Sequence, residues 1–285
     1  MKVRKARHRS INRFIKGNLF ISKILFAVLF IGWCLQAKSQ VVLNNNFAAI
    51  NERIIYNTHF KWGGIKPRAG EASMTYGYYA SGYRARVLFK TSSFFDNIYK
   101  MRDTLECYYN NSLLLTQGSK RVVENGTASI DNYQYKYSGG NTYAHMTRYK
   151  SGELTLDSTI MARKGLDMVA LVMDVRSKKW ENIASETAFT YNVFSGRSVV
   201  PVTLRYIGKE VIEVNKRKFN SYKIAVFVKD KAFAGDGQKA DTFFWLSADR
   251  NKILLMGSMA LKVGYAKIYV SNIMNTRYPL TSEIK

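Results

Sequence analysis

Two cysteines, three prolines and three histidines are all that 285 residues contain, and each scarcity removes a class of protein. Cys34 lies in the basic, apolar stretch that opens the chain, so loss of that stretch leaves Cys107 alone. No disulfide framework can then staple the fold. Stability must come from apolar burial, about 25 cal/mol per Å² removed from water, and Cys107 is expected as a buried, inert thiol. His8 shares the opening stretch, while His59 and His145 have no partner at metal-ligand spacing. With neither HExxH nor CxxC, no metal and no cofactor is expected. No serine stands in GxSxG, and the glycine pairs at 63–64 and 139–140 suit turns better than a phosphate cradle. Scarce proline and the lack of linker composition favour one large domain over two.

Long hydrophobic runs are also missing. The apolar run at residues 24–35 holds about twelve residues, against the roughly twenty that a membrane-spanning helix needs. It follows Lys2, Arg4, Lys5, Arg7, Arg9, Arg13, Lys16 and Lys23, the order of a signal peptide. Ala37 and Ser39 place small residues where a signal peptidase needs them, so cleavage is expected before Gln40; Trp33 is too large to precede a lipidated Cys34. The expected division is a signal peptide at 1–39, a single antiparallel β domain at 40–271 and a loosely ordered polar tail at 272–285. The product is exported, to the periplasm or outer envelope.

Acidic residues are outnumbered, 20 against 44 Lys and Arg, for a net charge of +24. Nine of the basic residues and no acid lie in 1–39, so 35 against 20 leaves +15 on the mature chain. Such a surface suits anionic lipid headgroups, lipopolysaccharide or another anionic envelope component. Nucleic acid is excluded as a partner by export and by the dispersal of Lys and Arg.

What the chain has in plenty is aromatic residues at alternate positions, the mark of half-buried strands. Ile54, Tyr56, Thr58, Phe60 and Trp62 share one face; Ala72, Met74, Tyr76 and Tyr78 share another; Tyr83, Ala85, Val87 and Phe89 oppose Arg84, Arg86 and Lys90. Residues 47–55 are expected to begin as a short helix, and 94–102 break the alternation as a loop or helical turn. Asn125-Gly126 suits a type I′ turn. Tyr133, Tyr135 and Tyr137 form one face of the strand beyond it, and Tyr143, His145, Thr147 and Tyr149 one face of the next. Residues 166–176 carry the helical spacing Leu166, Val169, Ala170, Met173 and Arg176, with Asp167 at the start and Arg176 at the end favouring the dipole. A meander follows, with turns at Ser195-Gly196, Gly208 and Asn215-Lys216, and a loop holding Gly235-Asp236-Gly237. Residues 241–269 close the domain as a hairpin and third strand around a polar turn at 247–251, with Gly264 marking a bend. About a dozen strands overfill a flat sheet. The expected fold is mainly β, a large antiparallel curved sheet or half-barrel with one short helix.

On such a sheet Tyr76, Tyr78, Tyr83, Phe89, Tyr133, Tyr135 and Tyr143 would line a concave face that binds a lipid or another apolar ligand. Asp96, Asp103 and Glu106 lie near Arg102, and a carboxylate pair could serve glycoside hydrolysis. Turn capping and ion pairing account for them better. They are read with Arg176 and Asp249 as a structural polar cluster in which Arg176 meets Asp96, Asp103 or Asp249. No catalytic residue is assigned. The expected function is non-enzymatic, the alternative being a structural or assembly partner of another envelope protein; the oligomeric state is open.

Motifs spread over most of the mature chain also carry a family likeness. Asn51 through Tyr56 with Trp62-Gly63 and Ala69-Gly70, Phe95-Asp96 through Arg102-Asp103 with Glu106, Asp167 through Arg176, Tyr206 through Glu210, and Trp245-Leu246-Ser247 with Asp249 resemble the exported bacterial proteins grouped as domain of unknown function 3108. Ala248 and Cys107 depart from the pattern, where a second polar residue and a serine are usual. The resemblance implies an antiparallel β domain in the periplasm or outer envelope of Gram-negative bacteria and implies no activity. By architecture the chain is also similar to the curved half-barrels of lipoprotein and lipid carriers.

Overall fold

Alternating apolar residues become fifteen strands in the computed structural model, which describes residues 40–61, 67–228, 242–260 and 265–284. The described residues fall within one compact unit, 39–285. The expected signal peptide, the turn at residues 63–64 with the Trp62-Gly63 motif, the Gly235–Gly237 loop and the bend at Gly264 lie outside the described residues.

The first half is a meander of β1 (Glu52–Lys61), β2 (Arg68–Tyr79), β3 (Gly82–Thr91), β4 (Arg102–Asn110), β5 (Leu115–Glu124), β6 (Thr127–Ser138), β7 (Asn141–Lys150) and β8 (Glu153–Arg163), with helix α1 (Ser93–Asp96) between β3 and β4. Helix α2 (Met168–Ser177) and a 3₁₀ turn (Trp180–Asn182) lead to β9 (Ala188–Ser195), β10 (Ser198–Val214), β11 (Arg217–Val228), β12 (Thr242–Ser247), β13 (Leu254–Ala260) and β14 (Tyr265–Met274). Strand β14 returns to pair antiparallel with β1, so one sheet runs from β8 through β1 and β14 to β9. Its two ends approach each other. Leu166 forms a parallel bridge to Val193, and the Asn192 side chain donates to the Arg163 carbonyl at 2.8 Å. The result is a nearly closed, barrel-like antiparallel sheet, as a strand number this large demands.

The inner face is apolar and holds α2. Asp167 caps the helix by accepting from the Ala170 N–H at 2.8 Å, and Val169, Ala170, Leu171, Met173 and Arg176 are buried. The helix packs on β3, β4 and β9. At its C-terminal end Phe47 lies against Arg176 and Trp180 donates to the Val175 carbonyl, and both rings are wholly buried. Arg176 enters this region and forms a bidentate pair with Glu52, Nη1–Oε2 2.7 Å and Nη2–Oε1 3.0 Å. It also donates to the Asn251 carbonyl at 3.0 Å and lies 4.7 Å from the Phe47 ring centre. Strand, helix and C-terminal hairpin are thus tied at one point.

Three expectations are corrected. Residues 47–51 are not helical: Asn45 Oδ1 accepts from the Ala48 N–H at 3.0 Å and Asn51 adopts φ 65°, which turns the chain into β1 while Phe47 is buried as an anchor. Gly208 is not a turn but a bulge within the 17-residue β10, where φ 149° shifts the register between Tyr206 and Gly208 and lets one strand bend onward. The tail is docked, not loose. Strand β15 (Glu283–Ile284) pairs with β11, the Arg217 guanidinium grips Glu283 at 2.5 and 2.6 Å, and buried Ser282 donates to Asp249 at 2.7 Å. The reason is Asp249: its carboxylate also receives the Ser247 hydroxyl and the Asn251 N–H, both at 2.9 Å, and the tail supplies the remaining donors.

Candidate ligand cleft and outer groove

The inner face leaves a cleft of about 90 Å³ where the first turn of α2 meets β4, β5, β6 and the β9–β10 turn. Leu105, Tyr133, Met168, Val169 and Phe194 make its apolar wall, and Lys120 and Asp167 its polar points. The sequence places Met168 there because Asp167 starts the helix one residue earlier, leaving the Met168 side chain 45% exposed above the buried helical face. Tyr133, Tyr135 and Phe194 stack in series at 6.3 and 5.9 Å between centroids, and Tyr133 Oη accepts from the Gly196 N–H at 3.1 Å.

Tyr135 donates to Asp167 Oδ2 at 3.1 Å. Burial pushes the Asp167 carboxyl up to about 6, against the opposing pull of the Ala170 N–H and the Tyr135 hydroxyl, which favour the charged form. Burial likewise raises Tyr133 to about 12 and holds Cys107 well above the usual thiol range. Gly118 permits this packing: a Cβ there would stand 2.8 Å from both Asp167 Oδ2 and the Tyr135 hydroxyl.

A second concavity, about 370 Å³, lies on the outer face across β1 to β5. Ser73, Leu88 and Thr104 form its floor, and Arg53, Lys90 and Arg121 stand around it. These side chains share a face because the ladders pair Ser73 with Leu88, Leu88 with Thr104 and Thr104 with Arg121.

The seven aromatics expected to form one wall do not converge. Tyr76 is buried and stacks on Tyr83 at 5.9 Å, while Tyr78 is exposed beyond them. Tyr133 lines the cleft, Tyr135 is buried behind it as its stacking partner, and Phe89 borders the outer groove. Tyr143 faces outward, alternating with buried Thr142 and Ala144 and paired with Lys136 and Met161, because the two-residue period puts it on the opposite face. Of the set, Tyr76, Tyr133 and Tyr135 are buried in the core.

The expected polar cluster is likewise dispersed. Asp96 pairs with Arg102 at 2.5 Å and accepts from Thr91; the hydrogen bonds from Arg102 and Thr91 lower its carboxyl to about 2. Glu106 meets Arg86 at 3.1 Å and Arg84 at 3.4 Å on the outer face. Asp103 is half-buried between strands, raised by that burial and by Glu124 nearby, with Lys120 opposing. Arg176 meets Glu52 and none of the expected aspartates, and Asp249 organises the β12–β13 turn. The missed residues are Glu52, Leu105, Met168 and Phe194. Only Met168 had a legible signal, its place after a capping aspartate. Among the described residues no group of three or more His, Cys, Asp or Glu could hold a metal, and no helix is long and apolar enough to cross a membrane.

Fold and cleft together define a barrel-like antiparallel β protein with an internal helix. The chain belongs to the family described as Protein of unknown function (DUF3108), whose model matches residues 55–271. No curated protein matches it in sequence. Among solved structures it is similar to a beta-barrel-like protein of domain of unknown function DUF1849 from Brucella abortus, with 12% identity and a TM-score of 0.55 over 79% of this chain and 98% of that one. That likeness concerns the fold alone. A candidate lipoprotein from Parabacteroides distasonis ATCC 8503 aligns at 9% identity over 82% of this chain and 98% of that one, with a TM-score of only 0.32.

Proposed function

We propose that the protein is a non-enzymatic, exported component of the cell envelope that holds the end of an apolar chain, such as a lipid, in the cleft beside α2. The observation that carries this reading is the cleft itself: Leu105, Tyr133 and Phe194 face one another beneath a half-exposed Met168. At about 90 Å³ it takes only the tip of a ligand, far less than the roughly 300 Å³ of a full small-molecule pocket. The rest of the ligand lies along the apolar inner face, where Val87, Val200 and Ile268 are partly buried. Dispersal of Asp96, Asp103 and Glu106 to different partners favours a binding role over glycan or lipid hydrolysis. The basic leader supports export.

The test is mass spectrometry of organic extracts from protein purified out of its native membranes. Wild type is expected to carry lipid, and Met168→Glu much less; a carboxylate at a helix N-terminus suits the dipole, so folding is spared. Lipid-free wild type, or equal lipid in both, removes the reading. A second reading, an assembly partner in the envelope, draws on β8, which ends the sheet path among the described residues and exposes Leu154 and Met161. One dominant protein crosslinked through β8, with no lipid, would favour it.

A further inference from the structure

The outer groove and the loop at residues 92–101 beside it play no part in the cleft. Nearby acids are already engaged: Glu71 lies between Arg68 at 3.2 Å and Lys90 at 3.3 Å, Asp96 is held by Arg102, and Glu124 accepts from the Tyr99 hydroxyl at 2.7 Å. Glu106 is taken by Arg84 and Arg86, and Asp103 is half-buried. Among the described residues Arg53, Lys100 and Arg121 form no salt bridge, and Lys100 reaches Asp96 only as a minor charge beside Arg102. Ser73 and Thr104 add hydroxyls to the groove floor, so the site offers donors in surplus.

The loop exposes apolar bulk instead. Phe94 is 61%, Ile98 67% and Tyr99 41% accessible within six residues. It is held firmly: Ser92 caps α1, Arg102 grips Asp96, and Lys100 and Asn125 exchange two hydrogen bonds of 2.9 Å. Large apolar side chains kept in water beside unpaired cations match the chemistry of a bilayer interface.

We propose that this loop and groove dock the protein on an anionic bilayer, with Phe94 and Ile98 entering the headgroup–acyl boundary and Arg53, Lys100 and Arg121 meeting lipid phosphates. The site is independent of the cleft, so a barrel that carries no lipid would still dock. The experiment is co-sedimentation of the purified protein with phosphatidylcholine vesicles, with and without phosphatidylglycerol. Binding is expected only with phosphatidylglycerol and weakens as salt is added. Each cation near such a surface contributes about fivefold, so Arg53→Gln with Arg121→Gln should weaken binding about 30-fold. Phe94→Ser with Ile98→Ser should also release the protein from the same vesicles, and unchanged urea midpoints confirm that both variants remain folded. Equal binding to neutral and anionic vesicles, no binding to either, or wild-type binding by either folded variant would overturn the proposal. Calorimetric binding of inorganic phosphate without vesicle association would also overturn it, replacing the bilayer with a soluble anion.

Discussion

Breaking the Glu52–Arg176 pair should be among the most costly substitutions in this protein. Both side chains are almost fully buried, 2% and 1% exposed, so neither charge regains water when its partner is lost. Removing one partner of a buried pair costs about 3–5 kcal/mol, whereas replacing both with apolar groups of similar size is often neutral. Glu52→Gln keeps an acceptor for one guanidinium N–H, and Arg176 retains the Asn251 carbonyl and the Phe47 ring; the cost belongs near about 3 kcal/mol. Arg176→Met strips the carboxylate of both donors, placing that variant near about 5 kcal/mol. The double variant Glu52→Leu with Arg176→Met should recover most of this loss, giving a coupling energy of several kcal/mol in a double-mutant cycle closed by the Glu52→Leu and Arg176→Met single variants. Equilibrium urea unfolding followed by tryptophan fluorescence reads it, since Trp180 is fully buried close by in sequence to Arg176. Single variants within about 1 kcal/mol of wild type, or losses that simply add in the double variant, would refute the reasoning.

Asp167 should make stability fall as pH rises: its folded pKa of about 6 exceeds the unfolded 3.8, so its contribution is complete below the lower value and lost through the upper. At about 1.4 kcal/mol per unit the change is about 3 kcal/mol, and Asp167→Asn, which keeps a capping oxygen, should flatten that part of the urea-midpoint profile; an unchanged slope counts against it. Asp96 has the opposite sign. Its carboxyl is lowered to about 2, so the Arg102 contact persists above the ordinary carboxylate range and fails only as pH falls toward that value. Asp96→Asn should speed amide hydrogen exchange at residues 92–101 at neutral pH, and equal exchange would contradict the assignment. Gly118→Ala places a methyl 2.8 Å from Asp167 Oδ2 and the Tyr135 hydroxyl; overpacking of this kind costs about 1–3 kcal/mol, measurable as a lowered Tm.

Local pattern carried far. The alternation in residues 54–60 and 83–89, the Asn125-Gly126 turn and the helical spacing from Val169 to Arg176 each depend on neighbours a few residues apart, and each stands where the pattern puts it. Faces within a strand were legible for the same reason, as with Arg84 and Arg86 against Ala85 and Val87. The candidate site was much less legible. Aromatic alternation names a face without naming what covers it, and α2 covers part of the inner one, where it packs on β3, β4 and β9.

Strand identity, the antiparallel class and the helix at Met168–Ser177 were therefore determined by sequence alone, because period-two and period-3.6 burial are properties of short stretches. Closure of β14 on β1, the partner of Arg176, the seating of the tail under Asp249 and the gathering of Arg53 with Arg121 were decided only by tertiary structure. Glu52 and Arg176 stand 124 residues apart. Nothing in either neighbourhood encodes that meeting; it follows from register summed across a whole sheet, where each ladder positions the next.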